Sequence, residues 1–390
     1  MYFCSLEALA INLKFLLQIT YRTSYPLDNS ERRIKFFLHI LLYGIPSGVY
    51  LPYIMKIIKR KKCMEENLDK LFDYRPLIPG SGRFASIVGI GGGAGRVVDQ
   101  MRKCCLPDVQ LYAFGMNRKE MDELSLCGKY LIGQEGLGSG KDRFLAEYEC
   151  SKSFPAIEGV LRGRLVAVFV VCLGGGTGEG CVRSFLQKAR EVGNKAIILV
   201  ATIPHSSEGA EKRKNALGLL KALEPMVDAL YTVDYDDSWY ATLTEVFQEA
   251  DRKIIEFTDS LLGMVLRRCM ISFDFNDFRT FLQFPTPSKH IDFFMLAGSL
   301  DFLRKEVKDW WKKLPAKYSS ADEVAMAVFS IENADWSDDK ETTEAMDVVH
   351  ECFLQLPPDA EVRWGYTRMR RFHRTSSGCG FSPNARDNMA

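Results

Sequence analysis

Three glycine-rich stretches and one pair of aspartates are the parts of this 390-residue chain whose types and spacing could do chemistry. Residues 174–180 read Gly-Gly-Gly-Thr-Gly-Glu-Gly, residues 91–96 Gly-Gly-Gly-Ala-Gly-Arg, and residues 136–142 Gly-Leu-Gly-Ser-Gly-Lys-Asp. Where β-carbons are missing, backbone N–H groups approach an anion closely, and a helix starting at such a turn favours negative charge through its dipole. A threonine hydroxyl adds a ligand for a phosphate oxygen or for Mg²⁺. Gly91, Gly92, Gly93, Ala94, Gly95 and Arg96, together with Gly174, Gly175, Gly176, Thr177 and Gly178, are therefore expected to cradle phosphate. Asp274 and Asp277, three residues apart, can orient a water or bind Mg²⁺.

These turns need elements to hold them. Residues 165–173 (LVAVFVVCL) form an apolar, β-branched run that reads as a buried strand, and residues 181–192 follow with a helical pattern. Residues 84–90, 109–114, 195–203 and 229–233 read as further strands, and 97–105 and 209–224 as helices. The alternation predicts an α/β fold, a doubly wound and mostly parallel sheet with ligands at the carboxyl ends of its strands. Each glycine turn after a strand falls at such an end. Residues 242–269 read as one long central helix, where the spacing of four between Phe247 and Asp251 puts both on one face. Strands at 291–300, 325–332 and 360–365 and helices at 302–314 and 341–354 then predict a second, α+β domain. Two domains suit the length.

Several classes are excluded, and NAD binding drops to a minor alternative. A net charge of +1 gives no electrostatic case for nucleic acid. Eleven cysteines without a C-x-x-C pair suit reduced thiols in a cytosolic protein, not disulfides or a zinc site. Residues 136–142 fail as a Walker A loop, because Glu135 stands five before Gly140 and Asp142 replaces the required hydroxyl. Gly89, Gly91 and Ala94 satisfy a dinucleotide fingerprint, but the strand at 109–114 ends in Gly115-Met116-Asn117, without the acid that would hold a ribose. Residues 36–55 carry no Lys, Arg, Asp or Glu, and Lys56, Lys59, Arg60, Lys61 and Lys62 follow. Length and flank fit a membrane span, whereas Pro46 and Pro52 suit a straight helix poorly, and the acidic stretch from Met64 would make an ordinary start. Membrane association through 36–62 and translated upstream sequence both stay open.

The stretch GGGTGEG resembles the GGGTG(S/T)G signature of the tubulin/FtsZ superfamily, and its companions occur in family order over residues 84–365. VGIGGGAGR resembles the first nucleotide loop of FtsZ, residues 136–142 its γ-phosphate loop, and Glu208 to Lys212 its sugar-contacting E-G-x-x-R. Phe247-Gln248-Glu249-Ala250-Asp251 resembles F-x-x-A-D, and residues 272–280 the N-x-D-F-x-D-x-R-T synergy loop. The resemblance implies GTP or GDP with Mg²⁺ as ligands, though no residue is assigned as a metal ligand. It implies that Glu208 contacts ribose, Lys212 the nucleotide, Phe247 the guanine face and Asp251 the guanine edge. It further implies a cytoplasmic, head-to-tail homopolymer in cell division or a related cytoskeletal role, alone or beside another FtsZ. Asp274 and Asp277 would act on the nucleotide of the adjoining subunit. The implied layout is an extension over 1–63, a polar leader over 64–83, a GTP-binding domain over 84–241, the helix over 242–269, a GTPase-activating domain over 270–366 and a tail over 367–390. Arg96, Lys119, Glu179, Tyr235 and Ser272 depart from the family pattern. They motivate an alternative, a nucleotide-binding scaffold with little or no turnover.

Overall fold

The computed structural model describes residues 83–368, apart from 105, 107, 238–241, 268, 272, 286–287, 297–298, 314–323, 325 and 334–338. These residues belong to one compact unit, Leu77–Ala390. The expected extension over 1–63, the leader up to residue 82, Ser272 and the tail beyond 368 lie outside the described residues. Among the described residues no helix is long and apolar enough to cross a membrane.

Six strands form the main sheet: β1 (Ala85–Ile90), β2 (Val109–Gly115), β3 (Gly128–Leu131), β4 (Val166–Cys172), β5 (Ala196–Ile203) and β6 (Ala229–Asp234). Their order is β3-β2-β1-β4-β5-β6 and every pairing is parallel. β1 and β5 are buried along their whole length, which is why they read as near-continuous apolar runs, broken only by Ser86 and Thr202. The helices are α1 (Gly92–Gln100), α2 (Arg118–Glu123), α3 (Arg143–Lys152), α4 (Phe154–Leu161), α5 (Gly176–Glu191) and α6 (Ala210–Leu223), followed by the long α7 (Leu243–Leu266). One face of the sheet packs Val97 and Val98 of α1 with Ile254, Phe257 and Leu261 of α7. The other packs Ile157 of α4, Phe185 and Leu186 of α5 and Leu220 of α6. The sheet is doubly wound, as expected.

α7 begins with a capping box: the Thr242 hydroxyl accepts the Glu245 N–H at 3.3 Å, and the Glu245 carboxylate accepts the Thr242 N–H at 3.0 Å. Its buried face, Val246, Ala250, Ile254, Phe257, Leu261 and Met264, keeps the three-and-four spacing of an amphipathic helix. A short strand β7 (Cys269–Ile271) and helix α8 (Phe275–Leu282) follow. α9 (Leu300–Glu306), β8 (Met326–Asn333), α10 (Asp339–Phe353) and β9 (Glu361–Arg368) complete the chain, with a second sheet in the order β7-β9-β8. β9 pairs antiparallel with β7 and parallel with β8.

Three expectations need correction. The first helix starts at Gly92, not residue 97, so the glycine run is its first turn and the strand-to-helix connection is shorter than expected. The α5 helix likewise starts at Gly176, five residues before the expected 181. The strand expected over 291–300 does not form. The chain makes one bridge beside edge strand β6, through Leu230 N–H to Lys289 O and Ile291 N–H to Leu230 O, and then leaves it. Phe293 turns edge-on to Tyr231 and Phe257, whereas Phe294 stacks on Trp310 in a separate core, so burial of these rings competes with continued pairing.

Candidate functional site

The strand order reverses direction between β1 and β4, and this switch point is where a doubly wound sheet opens a crevice. Ile90 and Val171 are register partners, so the turns leaving β1 and β4 start at one level. Gly91 has φ 93°, a conformation few residues other than glycine adopt, and donates its N–H to Phe114 O at 2.7 Å. Gly178 needs its missing side chain for a different reason. A β-carbon there would sit 2.8 Å from Val171 Cγ2 and 3.2 Å from Cys172 O. The start of α5 thereby seats directly on the strand ends.

Two helix N-termini converge here. Gly95 N–H to Gly91 O is the first intrahelical bond of α1, and Glu179 N–H to Gly175 O that of α5. Helix geometry leaves the amides of Gly92, Gly93 and Ala94, and of Gly176, Thr177 and Gly178, without helical acceptors. The two runs face one another, with the β-carbon position of Gly91 lying 3.5 Å from the Gly178 nitrogen. Six main-chain donors and two dipoles aimed at one crevice suit a polyphosphate.

The third glycine stretch closes this cradle from the side. Arg118 N–H to Gly136 O (2.8 Å) and Gly138 N–H to Met116 O (3.0 Å) hang it from the end of β2. Ser139 and the Lys141 backbone press against Gly176, and the Thr177 hydroxyl lies 3.5 Å from that of Ser139. Glu179, a departure from the family pattern, turns back into its own loop, and its Oε1 accepts the Gly174 N–H at 2.7 Å.

Lys212 reaches the same loop: its Cε would lie 2.3 Å from a β-carbon at Gly174. Its ammonium pairs with Glu208, whose other oxygen accepts the His205 N–H at 3.3 Å in a capping box. Beyond them, Arg213 bridges Asp234 (2.7 Å) and Asp236 (3.1 Å) at the end of β6 and donates to Pro204 O at 2.9 Å, bracing the turn after β5. On α7, Phe247 is 41% exposed and edge-on to Tyr235, with ring centroids 5.1 Å apart. Asp251 accepts the Gln100 Nε2 at 2.9 Å. Burial raises its carboxyl above the ordinary value, against the opposing Gln100 bond and the Arg96 charge. Burial likewise pushes the Cys172 thiol up to about 11, and Cys172 lines the floor beneath Gly93.

Thus the glycines, Thr177, Glu208, Lys212, Phe247 and Asp251 gather at the carboxyl end of the sheet, and the Arg96 guanidinium acts on Asp251. Gln100, Ser139, Cys172 and Arg213 belong to the same region and carry no spacing signal in the sequence.

Asp274 and Asp277 lie elsewhere. Phe275 packs on Phe84, before β1, with centroids 5.8 Å apart, and Gln283 donates to Lys195 O, before β5, at 3.3 Å. The pair therefore sits at the amino end of the sheet, with strands of about 20 Å between it and the cradle. Asp274 caps α8 by accepting the Asn276 and Asp277 N–H groups at 2.8 and 2.9 Å, and Asp277 Oδ2 accepts the Asp274 N–H at 3.2 Å. Asp277 also pairs with Arg363 of β9.

No family profile matches the chain. Cell division protein FtsZ 1 of Archaeoglobus fulgidus is 27% identical over 292 residues, 72% of this chain and 76% of that protein. Among solved structures, an empty FtsZ dimer from M. jannaschii superposes with a TM-score of 0.63 at 20% identity, covering 78% of this chain and 87% of the other. CetZ2 from Haloferax volcanii, solved as a GTPγS-bound protofilament, gives 0.55 at 18% identity, covering 73% and 89%. With the signature turns converging at the switch point of the sheet, the chain is FtsZ-like in both sequence and fold.

Proposed function

We propose that this protein is a GTPase of the FtsZ kind, acting in cell division or a related cytoskeletal role. It binds GTP and GDP in the glycine cradle, assembles head to tail, and hydrolyses GTP where two subunits meet. The residues present fit the nucleotide. Paired helix N-termini receive phosphates, Lys212 and Glu208 border the sugar side, Phe247 offers a ring face, and Asp251 offers a half-buried carboxylate to the guanine N1–H and amine. Among the described residues no group of three or more His, Cys, Asp or Glu could hold a metal. Mg²⁺ would be held by the phosphates with the Thr177 hydroxyl, and would offset their charge.

The observation that carries the reading is the opposed location of cradle and aspartates. One lies at the carboxyl end of the sheet and the other at the amino end, so neither reaches the other within a subunit. Stacking one subunit's amino end on the next subunit's carboxyl end brings them together. Such a heterologous contact repeats without closing and yields filaments. There Asp274 and Asp277 would hold the attacking water and accept its proton.

A second reading, a nucleotide-binding scaffold with little turnover, is favoured by one observation. Both aspartates are already engaged, in a capping box and with Arg363. GTP hydrolysis per subunit, measured against the concentration of the full chain beside Asp277→Ala, separates the two. A rate that switches on above a threshold and is lost in the variant supports catalysis between subunits. No hydrolysis at any concentration, with guanine nucleotide still bound, leaves the scaffold. Displacement of the nucleotide by NAD would refute both.

A further inference from the structure

We propose that Glu179 makes the cradle select a nucleotide complexed with a divalent cation over the free nucleotide. This deepens the guanine-nucleotide reading above and rests on it. The carboxylate accepts the Gly174 N–H at 2.7 Å from the first turn of α5, beside the main-chain donors that would meet phosphate. Gly175, the N-cap, has no side chain to cap the helix, so the only side-chain oxygen on this turn besides Thr177 belongs to Glu179. A carboxylate there is itself favoured by the helix dipole. It is a resident anion in the field that an incoming phosphate would use.

Nearby charges sharpen the competition. Glu120 Oε2 leans on Gly92, from the side of the first turn. The Lys212 ammonium, beside Gly174, is already paired with Glu208. A bare polyphosphate thus meets two carboxylates at a cradle where Lys212 is already paired, leaving Arg96 of the first loop and Lys141 of the third to oppose them. A divalent cation on the phosphates reverses the sign, because it attracts the Glu179 oxygens that would otherwise repel.

The test is equilibrium binding of a fluorescent GTP analogue to the full chain, in EDTA and in excess Mg²⁺, for the wild type, Glu179→Gln and Glu179→Ala. Glutamine keeps an oxygen for the Gly174 N–H and removes only the charge. In EDTA, Glu179→Gln is expected to bind about tenfold tighter than wild type or better, and in Mg²⁺ the gap closes to within about threefold. Glu179→Ala reports loss of the loop bond itself, so weakening in that variant alone supports the separation of charge from structure. Equal affinities of wild type and Glu179→Gln in EDTA, or weaker binding of Glu179→Gln in both media, overturns the proposal while leaving the nucleotide site intact. Absence of guanine-nucleotide binding by all three proteins in both media overturns the site and this inference together.

Discussion

Gly176→Ala and Gly175→Ala differ by one position and should differ sharply in consequence. A β-carbon at Gly176 would lie 2.4 Å from Ser139 Oγ, 2.6 Å from Lys141 C and 2.7 Å from Lys141 Cα. The hydroxyl can rotate, but the Lys141 backbone must retreat by roughly an ångström to restore ordinary contact. That loop cannot yield freely. Gly138, Gly140 and Lys141 all hold positive φ, and the loop is hydrogen-bonded to the end of β2. Overpacking of this kind costs about 1–3 kcal/mol. At about 2.1 cal/mol/K per residue, each kcal/mol lowers the melting midpoint of a chain this long by roughly 1–2 °C, so a fall of roughly 1–6 °C is expected. At Gly175 the nearest atom is Cys172 O at 3.8 Å, and φ is −106°. Alanine fits there and forfeits about 1 kcal/mol or less as a poorer N-cap. Thermal melts of both variants, with guanine-nucleotide titrations, read the difference. Gly176→Ala should melt lower and bind more weakly, and Gly175→Ala should stay near wild type on both. Equal losses in the two, or a wild-type melt and affinity for Gly176→Ala, would refute the packing of the third loop on the signature turn.

The remaining expectations concern charge, core and caps. Asp251 has a raised folded pKa, so between its unfolded and folded values the native state binds more protons. Stability is then greatest below the ordinary carboxylate pKa and is lost as pH rises through the raised one. Asp251→Asn should flatten that slope in melts across acidic pH while lowering the preference for guanine over adenine nucleotides in competition binding. Phe257 stacks on Tyr231 at 4.0 Å between centroids and is 2% exposed, so Phe257→Ala should cost about 3–5 kcal/mol by denaturant unfolding. Asp274→Asn should keep the cap and the melting midpoint but lose hydrolysis, whereas Asp274→Ala should lose both, the cap being worth about 0.5–2 kcal/mol. With its thiol held up to about 11, Cys172 should resist alkylation at pH 8 when exposed Cys127 reacts, as read by peptide mass spectrometry.

Much of the sheet was legible because parallel strands buried on both faces are mostly apolar, and β1, β4 and β5 are, with Ser86 and Thr202 the polar exceptions in β1 and β5. Their glycine turns were legible for the complementary reason, since no other residue packs where Gly178 meets the strand ends. What failed was a run judged by composition alone. Ile291, Phe293, Phe294 and Leu296 look like a strand, but their side chains are divided between two cores, and only tertiary structure reveals that. The contacts of Gln100 with Asp251 and of Glu179 with Gly174 were illegible too. The first spans 151 positions, and the second depends on a turn conformation that composition does not encode.

The aspartate pair exposes a deeper ambiguity. Asp-Phe-Asn-Asp fits a water-orienting dyad, and by the same i, i+3 spacing it fits a capping box, because both uses need two oxygens one helical turn apart. In the structure the capping box is made, so bonding within the chain cannot distinguish the two uses. Location can. A cap needs only its helix, whereas Asp274 and Asp277 are part exposed at the amino end of a sheet whose carboxyl end carries the cradle. In the proposed head-to-tail stack that end would face a second nucleotide. The cap would then hold both carboxylates in a fixed orientation before the neighbour arrives. If the pair acts in catalysis, the capping box is the device that preorganises it, and Asp277 must exchange Arg363 for the neighbour's water.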